Sequence, residues 1–158
     1  MSKPLIAAIQ MCSGTDLAAN LDAAEGLLRQ AAAAGARLAV LPENFAMFDA
    51  SQYRLVASHL PGILARLTGL ARELGLWVVA GTLPVAMRPD GEPVPDGRVR
   101  AACHVISAAG ECVARYDKIH LFDVDVADAQ GAYRESATFE PGDAVVCADT
   151  PWGCIGLT

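Results

Sequence analysis

The sequence predicts an α/β fold in which helices pack on a mixed β-sheet. Short apolar runs alternate with helical patterns in the first half of the chain, and consecutive β segments follow in the second half. The length of 158 residues corresponds to one domain or a piece of a larger one, and the hydrophobic fraction of 53% supplies a core. Only 19% of the residues are charged, which suggests that further chain or another subunit covers some apolar surface.

Three short apolar runs in the first half of the chain predict strands. They span residues 4–12, 37–42 and 76–85. Apolar runs of this length, bounded by turn residues, are typical of buried strands. The second run ends at a proline, which cannot continue a ladder of hydrogen bonds.

Two helical patterns separate these runs. The first begins after Asp16, a suitable N-cap, repeats leucine and alanine at steps of three and four residues, and ends at Gly35. The second is predicted over residues 61–74, with Gly75 as its stop. The order of elements is therefore strand, helix, strand, helix, strand.

The second half of the chain is predicted to continue in β segments. A turn-rich loop at residues 87–97 precedes segments at residues 99–106 and 112–116. Gly110 lies between the two segments and supports a hairpin connection.

A long polar segment at residues 123–143 is predicted to be irregular. Loops of this length in a compact domain are usually functional. After this segment, residues 145–148 and 154–157 are predicted to form a last hairpin around a turn at residues 151–153.

The charge distribution excludes some classes of partner. The net charge is −6 and no cluster of lysine and arginine exceeds two or three residues, so nucleic acid and anionic membranes are not predicted partners. The N-terminal stretch is too short and interrupted for a signal peptide, and no stretch approaches the length of a transmembrane helix. A cytoplasmic location is predicted.

The cysteines and histidines show no metal-binding spacing. The cysteines are odd in number, contain no Cys-x-x-Cys, and are interpreted mostly as reduced, buried, small apolar residues. His59, His104 and His120 share no ligand spacing with one another or with a cysteine, so no metal site is predicted. Phosphate-binding glycine motifs are also absent from the sequence, and no cofactor is predicted. The cysteines are Cys12, Cys103, Cys112, Cys147 and Cys154.

Glu43 is the first candidate catalytic residue. It directly follows the strand predicted at residues 37–42, at the rim of the sheet, where sites in α/β folds collect. Its neighbours Leu41 and Phe45 suggest partial desolvation, which would raise the pKa of the carboxyl group and make it a usable base. The alternative is a solvated glutamate in a loop.

Lys118 is the second candidate. It lies at the end of a predicted strand among large apolar residues, and from there it could stabilise a developing oxyanion. The alternative is a surface lysine that pairs with Asp117 or Asp123. His120 could orient the lysine by a hydrogen bond, or it could be a structural histidine with satisfied hydrogen bonds.

Glu135 is the third candidate, and it lies within the long polar segment. Long polar loops in a compact domain are usually functional, which makes this carboxylate a candidate. The alternatives are a helix or turn cap, or a partner for Arg134.

Taken together, these segments resemble the carbon–nitrogen hydrolase (nitrilase) superfamily. The resemblance covers the whole chain in order, on IAAIQM, LAVLPENF, AGT, ARYDKIHLFDVDV, YRESATFEPGD and DTPWGCIGLT. It implies an αββα sandwich, here reduced to a mixed sheet with helices on one side, and a Glu-Lys-Cys catalytic set with a second glutamate. The matching residues are Glu43, Lys118 and Glu135.

The resemblance also implies a cysteine nucleophile two residues after Thr158. Residues 1–158 are therefore expected to be a partial domain that ends just before the nucleophile and is inactive alone. Cys154 cannot substitute, because six residues of extended strand span about 20 Å. Cys12 and Cys147 have no motif support.

The implied activity is hydrolysis of a small amide through a cysteine thioester, without a cofactor. The motifs resemble the branch of deaminated glutathione amidases and ω-amidases, which implies a carboxylate-bearing amide as substrate. Complete members of the family are expected to be homo-oligomers. The alternative function is a catalytically inactive fragment or pseudoenzyme that acts as a binding or oligomerisation module.

Overall fold

The structure is a computed structural model, and it describes residues 3–126 and 131–158. Within those residues it contains a five-stranded mixed sheet, two long helices and two separate two-stranded hairpins. The helices are α1 (Leu17–Ala33) and α2 (Tyr53–Leu74). The strands are β1 (Ile6–Ala8), β2 (Leu38–Val40), β3 (Trp77–Val85), β4 (Arg100–Ile106), β5 (Cys112–Asp117), β6 (Asp123–Asp125), β7 (Ala132–Arg134), β8 (Val146–Thr150) and β9 (Gly153–Leu157).

The strands of the main sheet follow one another in chain order. β1, β2 and β3 are parallel, because α1 and α2 each return the chain to the starting edge of the sheet. β3, β4 and β5 are antiparallel neighbours. Gly110, with φ of +78°, forms the turn between the last two strands, so the predicted hairpin is confirmed.

The prediction for the second helix was wrong at its N-terminus. Helix α2 begins at Tyr53, eight residues before Pro61, and a single 3₁₀ turn capped by Asp49 precedes it. Pro61 lies inside the helix on an exposed position. Burial of Val56 on the same apolar face as Ile63 outweighs the loss of one backbone hydrogen bond at the proline.

The larger apolar core lies between the helices and one face of the sheet. Both helices contribute to it, α1 through Leu28 and α2 through Val56, and the sheet contributes Leu83 and Ile106. Asp16 caps α1 by accepting a hydrogen bond from the amide of Ala19, as the sequence predicts.

A smaller core lies on the opposite face of the sheet. The β8–β9 hairpin packs there, with Ala148 and Leu157 against Val79 and Val105. This hairpin is the last one predicted from the sequence, and it is confirmed. The described residues leave part of this face uncovered, and Ile6 on β1 is 56% exposed.

Two predictions about burial were wrong. The first strand is only three residues long and half exposed, because it is the edge strand of the sheet and Ile6 lies on the less covered face. All five cysteines are free, but Cys103 alone is buried. Cys147 and Cys154 lie on the side of their hairpin turned away from the sheet, and the edge strand β5 carries Cys112.

The polar segment at residues 123–143 was predicted to be irregular, and this prediction was wrong in part, because the segment contains two short paired strands. β6 and β7 pair with Val124 opposite Tyr133, and Arg134 forms an ion pair with Asp125 across the two strands. Alternation along a short strand places these charges on one face. Residues 127–130 of the predicted segment lie outside the described residues.

The helices do not carry a membrane span. Neither α1 nor α2, the long helices of the described residues, combines the length and the apolar character needed to cross a bilayer.

Candidate active site

The three predicted site residues meet at one point of the molecule. Lys118 Nζ lies 2.9 Å from Glu135 Oε1 and 3.2 Å from Glu43 Oε1. Glu43 follows β2, Lys118 follows β5, and Glu135 follows β7, so three elements that are distant in sequence contribute one side chain each. The structure therefore brings together two carboxylates and one ammonium group.

Glu43 is positioned by the close contact between β2 and β3. A Cβ atom added to Gly81 would lie 2.3 Å from the carbonyl oxygen of Leu41, so only glycine allows this approach. The next residue, Asn44, has φ of +55°, and its amide donates to Thr82 Oγ1 at 3.1 Å. Two adjacent residues of β3 thus hold the turn that carries Glu43.

The side chain of Glu43 is 55% exposed in the described chain. The partial desolvation expected from its neighbours was therefore wrong for this chain. Leu41 and Phe45 are buried, but the turn directs the glutamate between them outward.

The backbone of Lys118 is held on both sides. Its amide donates to the carbonyl of Ala101 on β4 at 2.9 Å, and its carbonyl accepts from the amide of Gly142 at 2.9 Å. A Cβ atom on Gly142 would lie 2.3 Å from the carbonyl oxygen of Asp117. This packing fixes the lysine against the segment that follows Glu135.

Glu135 is the most constrained of the three. Its second carboxylate oxygen accepts a hydrogen bond from the amide of Phe122 at 2.6 Å, while the first accepts from Lys118. Its carbonyl accepts from the amides of Thr138 and Phe139, and its side chain is only 17% exposed. The carboxylate is thus preorganised to hold Lys118.

The charge of Lys118 is strongly favoured. Partial burial acts to lower the pKa of Lys118, but the hydrogen bonds to Glu135 and Glu43 outweigh it, and the pKa lies above its ordinary value. A permanent ammonium group beside a carboxylate that faces solvent can stabilise a developing oxyanion.

Two alternatives that the sequence left open are not found. Lys118 pairs with neither Asp117 nor Asp123; Asp117 instead accepts from Arg100 and Arg115. Glu135 does not pair with Arg134, which forms its ion pair with Asp125.

Residues 5–158 match the family model described as carbon-nitrogen hydrolase. The chain belongs to the carbon-nitrogen hydrolase family. The resemblance seen in the sequence is therefore confirmed at the level of the family.

Individual relatives of this carbon-nitrogen hydrolase chain are amidases by name. The deaminated glutathione amidase of Yersinia enterocolitica is 38% identical over 161 residues, which cover 100% of this chain and 54% of that protein. The omega-amidase of Homo sapiens is 32% identical, with 96% of this chain and 52% of that protein covered. The chain spans about half the length of the curated relatives it matches.

Solved structures of the family share the fold. The NitFhit protein of C. elegans superposes with a TM-score of 0.83 at 26% identity, over 98% of this chain and 37% of that chain. An amidase from Nesterenkonia sp. superposes with a TM-score of 0.75 at 25% identity, over 96% of this chain and 53% of that chain. The predicted α/β class, with a mixed sheet and helices, is confirmed.

Sequence reasoning missed a buried ionic network behind the site of this carbon-nitrogen hydrolase chain. Arg100 donates to Asp117 at 2.9 Å and to Glu140 at 2.8 Å, and Arg88 also pairs with Glu140. The hydrogen bond from Arg88, with a second from Arg100, lowers the pKa of Glu140 to about 2. Burial acts in the opposite direction but is outweighed. The sequence did contain a sign of this network, because the charged residues Arg100, Arg115 and Asp117 lie within or beside predicted strands.

His120 lines a cavity beside Glu43 and Lys118, but it makes no hydrogen bond to Lys118 among the described residues. The orienting role that the sequence suggested is therefore absent. Within residues 3–126 and 131–158, no cluster of three or more histidine, cysteine, aspartate or glutamate side chains could hold a metal ion.

Proposed function

We propose that this chain supplies the base, the lysine and the positioning glutamate of an amidase site. The observation that carries the proposal is the placement of Lys118 Nζ between Glu135 and Glu43. Glu43 would act as the general base, Lys118 would stabilise the oxyanion, and Glu135 would position the lysine. The family membership of the chain and the names of its relatives support an amidase.

The proposed nucleophile is a cysteine two residues after Thr158 in the full-length protein. Thr158 lines the same cavity of about 700 Å³ as Glu43 and Lys118, which supports an approach of β9 to the site. The thiol proton would pass to Glu43 as sulfur attacks the carboxamide carbon. Lys118 would bind the tetrahedral oxyanion.

Glu43 would then return the proton to the leaving nitrogen, and the C–N bond would break to give a thioester and ammonia or an amine. A water molecule activated by Glu43 would attack the thioester carbonyl. The products are a carboxylic acid and the regenerated thiol. These steps need no oxidant, reductant or further cofactor.

Three of the described cysteines are poor nucleophiles for this reaction: Cys103, Cys147 and Cys154. Cys103 lines the cavity with Lys118, but burial raises the pKa of the Cys103 thiol to about 11, so the thiol stays protonated near neutral pH. Cys147 and Cys154 lie on the far side of their hairpin, where the hydrogen bond that the Cys154 thiol donates to Cys147 raises the pKa of Cys154.

The proposed substrate is a small amide that carries a carboxylate on its acyl part. The relatives named as deaminated glutathione amidase and omega-amidase support this class. A cytoplasmic location and a homo-oligomer of the complete protein stay predictions.

A non-catalytic binding module is the second candidate function for the 158-residue chain. The high pKa of Cys103 favours it, because the chain then presents no reactive thiol in the cavity of Glu43 and Lys118. Ammonia release by the chain alone would contradict this candidate.

Ammonia release from succinamate by the full-length protein tests the amidase proposal. Glu43→Gln and Lys118→Ala are each expected to lower kcat by at least about 100-fold, the usual effect of removing a general base or an oxyanion donor. Lys3→Ala is the matched control, because Lys3 is the other lysine of the chain and is exposed near its N-terminus. Undiminished turnover in Lys118→Ala would remove the lysine from the mechanism.

A further inference from the structure

A second cavity of about 600 Å³ opens beside the Glu43–Lys118–Glu135 cluster. It is lined by all three residues and by aromatic rings from three segments of the chain: Phe48, Phe122 and Phe139. An amide whose carboxamide group meets Lys118 would direct its acyl chain into this aromatic space.

Tyr53 also lines this cavity, and its ring is fixed in place. It is the first residue of α2 and only 7% exposed. Its ring packs against Phe139 with the ring centroids 5.3 Å apart. The hydroxyl is therefore presented at a defined position.

The Tyr53 hydroxyl has no protein partner within residues 3–126 and 131–158. No hydrogen bond joins the hydroxyl to a described residue. Among the described residues, the only fully enclosed side-chain nitrogen or oxygen without a partner is His104 Nδ1, so the Tyr53 oxygen is not fully enclosed. The phenol oxygen is therefore not sealed in the core and reaches the cavity that its ring lines. A donor that reaches a cavity in this way is open to an acceptor on a ligand, which can replace a water molecule there.

The hydroxyl is a donor at neutral pH. Burial, together with the negative charges of Glu43, Glu135 and Asp49, raises the pKa of Tyr53 above its ordinary value. The phenol thus keeps its proton, and an acceptor on a ligand is the group it can bind.

The cationic groups of this cavity are already paired among the described residues. Lys118 contacts Glu135 and Glu43, and Arg134 pairs with Asp125 and donates to two backbone carbonyls. A carboxylate on the acyl chain of a substrate would have to find a neutral donor on this side of the cavity. Tyr53 provides a neutral donor of this kind on a buried residue.

We propose that the Tyr53 hydroxyl determines specificity in this cavity by donating a hydrogen bond to an acceptor on the acyl chain of the bound amide. This inference rests on the proposed amidase function. It assigns a residue to the recognition of the acyl chain, whereas Glu43, Lys118 and Glu135 meet the carboxamide end.

The test compares two amides of equal length on the full-length protein that carries Glu43→Gln, so that the amides bind without being turned over. Succinamate carries a carboxylate at the end of its acyl chain, and butanamide carries a methyl group there. In the protein labelled with ¹³Cζ-tyrosine, Tyr53→Phe identifies the resonance of Tyr53 by removing it. Succinamate is expected to shift that resonance, and butanamide is not.

Affinities from the same titrations give the second readout. Tyr53→Phe is expected to weaken succinamate binding about tenfold, the effect of one hydrogen bond to a charged acceptor, and to leave butanamide binding unchanged. Lys118→Ala is expected to weaken both amides alike, because it faces the carboxamide group that they share. A thermal melt of Tyr53→Phe checks that the fold is intact.

The outcomes separate the two proposals. Equal losses for both amides in Tyr53→Phe, or no loss for succinamate, would overturn the Tyr53 assignment and leave the amidase proposal standing. Selective loss in Tyr53→Phe with no effect of Lys118→Ala would support Tyr53 and confine the contribution of Lys118 to the transition state. Failure of the full-length protein with Tyr53 and Lys118 intact to bind either amide would overturn both.

Discussion

His104 is a buried histidine with an unpartnered ring nitrogen. It lies on β4 and is 3% exposed, and within the described residues its Nδ1 atom has no hydrogen-bond partner. Burial, assisted by the positive charge of Arg115 and opposed by Asp117, lowers the pKa of His104 to about 4. The ring is therefore neutral in the folded chain at neutral pH.

We expect His104 to make the stability of the chain depend on pH between about 6.5 and 4. The unfolded chain binds a proton at His104 in this range and the folded chain does not, so the free energy of unfolding falls as pH decreases. The full effect is about 3 kcal/mol, from the shift of the pKa between the two states. His104→Gln should flatten this part of the profile, measured by urea unfolding at several pH values.

The exposed His59 on α2 provides the control, and His59→Gln should keep the original slope. Glu140, with its pKa of about 2, loses its contribution only below about pH 4.5, so the range above that value isolates the histidine. A slope in His104→Gln as steep as in the unmodified chain would place the proton uptake elsewhere.

At the residue scale, the sequence predicted the set of site residues but not the ion pairs that each of them forms. From the residues alone, Lys118 could pair with Asp117, its neighbour in sequence, whereas its meeting with the distant Glu135 was implied by the family resemblance. Successive residues along an extended chain point to opposite sides, so Asp117 turns toward Arg100 while Lys118 turns toward Glu135. These orientations depend on the register between β4 and β5, which cannot be read from the sequence around Lys118 alone.

Among the elements, the junction between β2 and β3 controls the position of Glu43. Gly81 on β3 lies against the residues that follow β2: an added Cβ atom would lie 2.3 Å from Leu41 O and 2.5 Å from Pro42 O. Both opposing atoms belong to the backbone, so they cannot rotate aside as a side chain would. The spacing of the strands depends on this glycine.

Gly81→Ala is therefore expected to destabilise the chain by more than about 2 kcal/mol, the range typical of overpacking, and to move Glu43 away from Lys118. Gly69→Ala is the matched control. Gly69 lies within α2 with no atom near its added Cβ, so alanine there should be neutral or raise stability by about 0.5–1 kcal/mol. Chemical unfolding of both variants gives the comparison, and equal stability would show that β2 and β3 can separate freely.

The sequence predicted most elements correctly and failed where packing overrides a local signal. The predicted helix begins at Pro61, just before the apolar pattern that starts at Ile63. The apolar face nevertheless continues back through Val56 to Tyr53, and burial of that face carries the helix through the proline. The β6–β7 pair was missed because its strands have three residues each, too few for alternation to stand out.

On the scale of the whole molecule, the two faces of the main sheet differ in how they are covered. The helices cover one face, while the β8–β9 hairpin covers only part of the other among the described residues. Ile6 is 56% exposed and Val40 is 37% exposed on that second face. The low fraction of charged residues in the sequence predicted apolar surface of this kind, but it could not say which face would carry it.

This uncovered face should govern how the 158-residue chain behaves in solution. Contiguous apolar surface on a sheet binds hydrophobic dyes and drives association, so we expect anilinonaphthalene sulfonate to bind and the sedimentation coefficient to rise with concentration. The double variant Ile6→Thr, Val40→Thr should reduce both effects, because it places hydroxyl groups on the face without changing the size of β-branched side chains by much. Leu55→Thr is the control, since Leu55 is 55% exposed on α2, away from the sheet. A chain that stays monomeric at all concentrations and binds no dye would show that these side chains do not form a continuous apolar surface.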